Sequence, residues 1–409
     1  MQHSLSLILI AIGAIIGTGS YVLFPAAMYL VLGIALAIYC VLVVKKAIHL
    51  NVQSSLILLA YLIFLLLNFT RDIGNDVASR LYLNFFLGIC AYLVVIRIFL
   101  LAPEDGMLRY LPLISLTIIA AGILLELNGI IESRRYGEAM ESADEGLLLR
   151  PGGFLNPNRT ATLSLIWLFC ALESKKSSYW LRAASIAACA FTLALTQSRA
   201  AMLFLFIYLV FNFFEGGAKN LKYYAAGIFC CILLLLAFGS QSDALVDIYD
   251  AIALRFQGDG SSDERYSVVM HALDIFAKSP FIGHGMRSMV GIAGLGTHNE
   301  IIEWLVNFGL VGFLVMLLII ARFYFVGSFA YLCMCILPTF LFSHNFFEAT
   351  SFQCALACAY AFHHRLARST VDEPVRKPSG FPLKRRAALA AIPALVNRIG
   401  HAARPVGKA

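Results

Sequence analysis

The chain has 409 residues, 60% of them hydrophobic and only 13% charged, with a net charge of +7 from 31 basic and 24 acidic side chains. Soluble domains carry about a quarter of their residues charged, so this composition excludes a cytosolic globular enzyme, a disordered protein and a disulfide scaffold. A membrane crossing takes about 20 apolar residues, which leaves room for about a dozen, and the net charge means little until divided between two membrane faces.

In chain order, hydropathy predicts spans over 5–19, 21–44, 54–70, 80–100, 110–128, 160–173, 180–197, 199–214, 221–239, 298–321, 323–342 and 346–363. The expected fold is an all-α integral membrane protein of about 12 transmembrane helices. It occupies 1–363 and is followed by a basic tail, 364–409, on the cytoplasmic side. Met1–Leu7 has no basic run and reads as the start of the first span, not as a removable signal. With the N-terminus in the cytoplasm, alternation puts 20 of the 31 basic but 6 of the 24 acidic residues on that side, a balance of +14 against −7 outside. Positive-inside bias favours this orientation. Both long connections, 129–159 and 240–297, then face outward. All ten cysteines fall inside apolar runs without a Cys-x-x-Cys pair, as expected of small core residues and not of a metal site.

Four polar clusters belong to the outer face. The first, Arg150-Pro-Gly-Gly-Phe-Leu-Asn-Pro-Asn-Arg159, leads into the sixth span. Asn156 is placed to cap a helix whose first residue is Pro157, an end that attracts anions; a plain helix start with snorkelling arginines fits the same residues. Thr196-Gln-Ser-Arg199 breaks two tightly linked spans. Arg199 then sits at a helix N-terminus, where the dipole repels it unless an anion is near, although an interfacial anchor is the alternative.

The third cluster holds Asp263-Glu264-Arg265, followed by a helical-period segment expected to lie on the membrane and by the turn Ser279-Pro-Phe-Ile-Gly-His-Gly285. Arg265 as a partner of its acidic neighbours is the bland alternative. The fourth, Thr297-His298-Asn299-Glu300-Ile-Ile-Glu303, opens the tenth span. Thr297 and Glu300 fit a capping box. His298 at the first helical position would stay neutral and able to accept a proton, with Glu303 one turn beyond Asn299. A second pair, His344-Asn345 with Glu348, lies on the same face. Arginines bind diphosphate bidentately, so the sum points to a metal-free diphosphate site with a nearby base.

These motifs resemble the O-antigen ligase and polymerase superfamily of bacterial envelope glycosyltransferases. The resemblance rests on "RPGGFLNPN", "TQSRAAM" and "DERYSVVMHALDIFAKSPFIGHGMRSM…GTHNEIIEWLVNFGLVGFL", and covers about 145–350. It implies a transferase of the GT-C type in the bacterial inner membrane, with a helical periplasmic loop between spans 9 and 10. Such a protein takes glycan from undecaprenyl diphosphate without nucleotide, metal or other cofactor, and no nucleic acid is a partner. The resemblance makes Arg199 and Arg265 diphosphate binders and His298 the base. It makes Arg150, Asn156, Asn158, Arg159, Asn299 and Glu303 supporting members. A ligase, with lipid A–core as acceptor, fits the short tail and modest loops best. A polymerase extending lipid-linked repeats is the alternative within the superfamily, and a lipid or anion transporter the alternative outside it.

Overall fold

Hydrocarbon offers no partner to a backbone N–H or C=O, so a chain this apolar must satisfy them within its own helices. The computed structural model describes residues 2–44, 52–72, 75–102, 107–131, 151–174, 177–216, 225, 261–286, 288, 299–342, 346–347 and 349–371, and among these the regular structure is all helical, with no strand. The chain divides into two units, Met1–Leu366 and Ala367–Ala409. The described part of the second is its first helical residues.

The helices are α1 (Gln2–Ala11), α2 (Pro25–Val44), α3 (Val52–Arg71), α4 (Asp76–Leu101), α5 (Leu111–Leu127), α6 (Pro157–Glu173), α7 (Tyr179–Thr196) and α8 (Arg199–Gly216). After them come α9 (Ser261–Lys278), α10 (Glu300–Ile319), α11 (Phe329–Leu341, containing a π-helical stretch) and α12 (Thr350–Val371). Among the described residues, six segments are long and apolar enough to cross a membrane: Pro25–Val43, Gln53–Arg71, Asp76–Leu101, Leu108–Leu127, Tyr179–Thr196 and Glu300–Tyr324. Leu5–Ile16, Arg199–Asn212 and Phe329–Leu341 are apolar but shorter. The expected span 221–239 lies outside the described residues.

Two of the expected spans, α6 and α12, are apolar in a different way. None of the described side chains of either is exposed, and α12 presents Cys354, Ala355, Ala357, Cys358, Ala359 and Ala361 to its neighbours. Helices in a bilayer associate by close packing, which small residues permit, and a helix that never meets lipid needs no strong hydropathy. Polar threads tie these central helices in. The Tyr324 hydroxyl donates to Gln353 Oε1 at 2.5 Å, the Gln353 amide donates to the Phe346 carbonyl, and Trp167 Nε1 donates to the Gly17 carbonyl at 2.8 Å. By contrast α2 and α3 leave large apolar side chains such as Leu30, Leu59 and Leu66 exposed, as lipid-facing helices do.

The tenth span is not one straight crossing. The Phe347 ring lies 5.2 Å from that of Trp304 and 6.2 Å from that of Tyr324. A straight helix would separate these two positions by about 30 Å. The chain bends at Gly309, whose φ of 65° and ψ of −164° only glycine adopts readily.

Side-chain links identify the two ends of the bundle. His363 Nδ1 lies 3.1 Å from Glu173 Oε2, and Arg365 donates to the Phe99 and Ala102 carbonyls. These links gather the C-terminal ends of α4, α6 and α12. At the opposite end α3, α5 and α7 finish, while α4, α6 and α8 begin.

Candidate functional site

At that opposite end, the Gly-Gly loop before α6 is built around a carboxylate. Glu126, in the last turn of α5, accepts from the amides of Gly152 at 2.7 Å and Gly153 at 2.5 Å. Gly153 has φ 68°, which turns both N–H groups toward one point. The anion held by these amides is therefore the protein's own. The Thr160 hydroxyl closes the loop by donating to the Gly152 carbonyl at 2.5 Å. Asn156 caps α6 as expected, its side chain accepting from Asn158 N at 3.0 Å, with Pro157 at the first position. Arg159 is in the first turn and half-buried. Arg150 lies outside the described residues.

The next junction is as short as the sequence implies. Only Gln197 and Ser198 separate α7 from α8, and α8 opens on Arg199, which is half-buried. Gln197 takes the left-handed conformation, φ 49°, alone among the described non-glycine residues. Such a backbone costs about 1–3 kcal/mol and persists only where surrounding packing imposes it. Thr196, Gln197 and Ser198 are all buried.

Helix α9 packs on the bundle along one side. Ala272 and Ile275, with Val268 and Phe276 beside them, pack on Val306 and Ile302 of α10. Tyr266, Met270 and Leu273, on the other side, are exposed. Arg265 belongs to this helix, but its side chain is outside the described residues.

After α9 the turn from Ser279 to Met286 enters the bend of α10. Gly283 and Gly285 have φ of 65° and 101°. The amides of His284 and Gly285 donate to the carbonyls of Val306 and Asn307, at 3.0 and 2.8 Å. In return, Leu310 N donates to Pro280 O at 2.8 Å and Val311 N to Phe281 O at 3.1 Å. The backbone groups released by the bend are thus satisfied by the turn, as a buried break requires. Asn307 adds its side chain, whose Oδ1 accepts from the Ser288 hydroxyl at 2.9 Å.

Helix α10 starts differently from the expected capping box. Asn299 is its N-cap, accepting from Ile301 N at 3.0 Å and Ile302 N at 3.3 Å. Asparagine outranks threonine in this role, so the helix begins at Glu300 and not at His298. His298 precedes the cap and lies outside the described residues, as do His344, Asn345 and Glu348. Glu300 is buried and accepts from Trp304 Nε1 at 3.0 Å and from Phe346 N at 3.2 Å. The backbone just after His344-Asn345 is thereby tied to the turn just after His298-Asn299. Glu303 is also buried, its backbone N donating to Asn299 O at 3.0 Å and its Oε1 3.5 Å from Asn307 Nδ2 one turn further on.

Residues not anticipated from sequence also hold this end together: Glu126, Arg71, Asp72 and Asn307. Arg71 reaches the carbonyls of Ile282 and Gly283, and Asp72 accepts from Met286 N. The available signal was a charged Arg-Asp pair directly at a span's end, which reads as an ordinary connection. Among the described residues, no group of three or more His, Cys, Asp or Glu side chains could hold a metal ion.

A family model described as O-antigen ligase matches residues 184–317, from α7 through the bend of α10. No curated protein matches the chain. The match supports a multi-pass membrane protein with a ligase- or polymerase-type role in O-antigen processing, glycosyltransferase-like in its chemistry.

Proposed function

Because residues 184–317 match the O-antigen ligase family, we propose that this protein is an O-antigen ligase of about 12 spans and the GT-C type. It transfers glycan from undecaprenyl diphosphate to a sugar hydroxyl of lipid A–core, at the periplasmic face of the inner membrane and without a metal. The observation that carries the reading is that the matched stretch, 184–317, contains Arg199, Arg265 and His298 together, with Arg199 opening α8.

The step is a single displacement. His298 takes the proton of the acceptor hydroxyl as its oxygen attacks the anomeric carbon. The bond from that carbon to the diphosphate oxygen breaks, its electron pair leaves with undecaprenyl diphosphate, and configuration inverts. Arg199 and Arg265 stabilise the charge growing on the diphosphate, a form of help worth about 2–4 kcal/mol per donor group in known oxyanion sites. Arg150 and Arg159 add positive charge nearby. Asn156, Asn158, Asn299 and Glu303 shape the helix starts that hold these groups.

The test is to mix purified protein with undecaprenyl-diphosphate glycan and lipid A–core and see which species lengthens. A core-linked product is expected; longer lipid-linked chains would make it a polymerase, and neither would reopen transport. His298→Ala should abolish transfer, and lysine at position 199 or 265 should weaken donor binding, since an ammonium cannot make the guanidinium fork. Full activity in all three variants would sink the assignment. A broken helix is what a transporter would show. In this chain the break at Gly309 offers its freed amides to Pro280 and Phe281, which favours surface chemistry over passage.

A further inference from the structure

The turn from Ser279 to Met286 is held from a third side, by the end of α3. Arg71 Nη1 donates to Ile282 O at 2.9 Å and to Asn68 Oδ1 at 3.2 Å, while Nη2 donates to Gly283 O at 3.0 Å. One planar fork thus occupies two consecutive carbonyls, a pairing that an ammonium cannot reproduce. The adjacent carboxylate takes an amide at the end of the turn. Asp72 Oδ2 accepts from Met286 N at 3.0 Å and from the Tyr82 hydroxyl at 2.6 Å. Gly285 leaves the space for it, since a Cβ there would come within 2.6 Å of Asp72 Oδ1. Two charged side chains from outside the family-matched segment therefore fix three points of a turn inside it, at Ile282, Gly283 and Met286.

The chain between Met286 and Asn299 ends in His298. It leaves past the Met286 amide that Asp72 holds and the Ser288 hydroxyl that Asn307 holds, and returns at the cap of α10. We propose that Arg71 and Asp72 are positioning residues for the transfer step: by clamping the turn into the bend at Gly309, they set where the segment bearing His298 begins. The proposal rests on the transferase reading above. It adds residues of the third span to a reading whose Arg199, Arg265 and His298 all lie in the matched stretch, 184–317.

The experiment uses full-length protein in lipid nanodiscs, with Arg71→Lys, Asp72→Ala and Asp72→Asn. Amide exchange is followed over 282–288, together with thermal midpoint and turnover per bound donor. Asparagine keeps a side-chain oxygen for Met286 N and the Tyr82 hydroxyl, so Asp72→Asn should stay close to wild type. In Arg71→Lys and Asp72→Ala, exchange over 282–288 should rise roughly tenfold or more, as expected when a hydrogen bond to a charged group is lost, with other peptides unchanged. Turnover per bound donor should fall about tenfold or more, the scale of a small misplacement at a reacting centre, with donor affinity within about twofold.

Counting turnover per bound donor removes the effect of a smaller folded fraction, which a merely structural role would produce. Should Asp72→Ala fail to fold, Arg71→Lys carries the same comparison. Unchanged exchange over 282–288 overturns the clamp. Faster exchange with unaltered turnover per bound donor overturns the positioning role, and so does an Asp72→Asn variant as damaged as Asp72→Ala. Wild-type protein inert with both acceptors would sink the transferase reading and the positioning role with it, a result distinguished from failure of the clamp by the exchange data.

Discussion

A carboxylate that accepts two backbone amides leaves both of them unsatisfied when it is removed. Glu126 is such a group, with Gly152 and Gly153 as its donors. Truncation to alanine should lower stability by about 1–3 kcal/mol, the cost of a buried unsatisfied donor, whereas glutamine keeps an acceptor and should cost less. Thermal unfolding in detergent checks the order of the two variants, and an alanine variant as stable as the glutamine one would deny Glu126 this role. The same residue changes the meaning of the glycine loop. Gly152 and Gly153 look available to a ligand in the sequence, yet in the folded chain they are already paired. Any diphosphate bound at this end relies on the arginines, not on these two amides.

Helix starts dominate at the scale of elements. Asn156 caps α6 and Asn299 caps α10 through the same side-chain oxygen geometry. A lost cap costs about 1 kcal/mol, and serine replaces asparagine with little loss. Asn299→Ala should therefore lower stability by about that amount, while Asn299→Ser keeps both stability and transfer activity. If Asn299→Ser is stable but inactive in the transfer assay, the side chain does more than cap. Helix α9 makes a related point. Its apolar stripe of Ala272 and Ile275 was legible, but a stripe says only that an apolar surface lies opposite, and for these two residues that surface is α10.

For the whole molecule, orientation is the testable quantity. The charge balance of +14 against −7 predicts the tail and the 174–178 connection in the cytoplasm and the 240–297 connection outside. A cytoplasm-active reporter fused after Arg182 or within the tail should be active, and one fused within 240–297 silent. The reverse pattern would move the proposed site to the wrong face for a lipid-linked periplasmic donor. Each end of the bundle is tied together by its own side-chain links. The links from Glu173 to His363 and from Arg365 to Phe99 close one end, and the Glu126, Arg71 and Asp72 pairings lie at the other.

Sequence by itself determined the helical class, the membrane setting, the cap at Asn156, the two-residue break before Arg199 and the turn at 279–285. Each of these follows from hydropathy or from interactions spanning about four residues, which a local pattern exposes. Tertiary structure alone decided the bend at Gly309, the pairing of Glu126 with the glycine amides and the reach of Arg71 to Gly283, 212 residues away in the chain. The physical reason is common to all three. A backbone group buried away from water must find a partner, but nothing in the local sequence says which distant side chain supplies it.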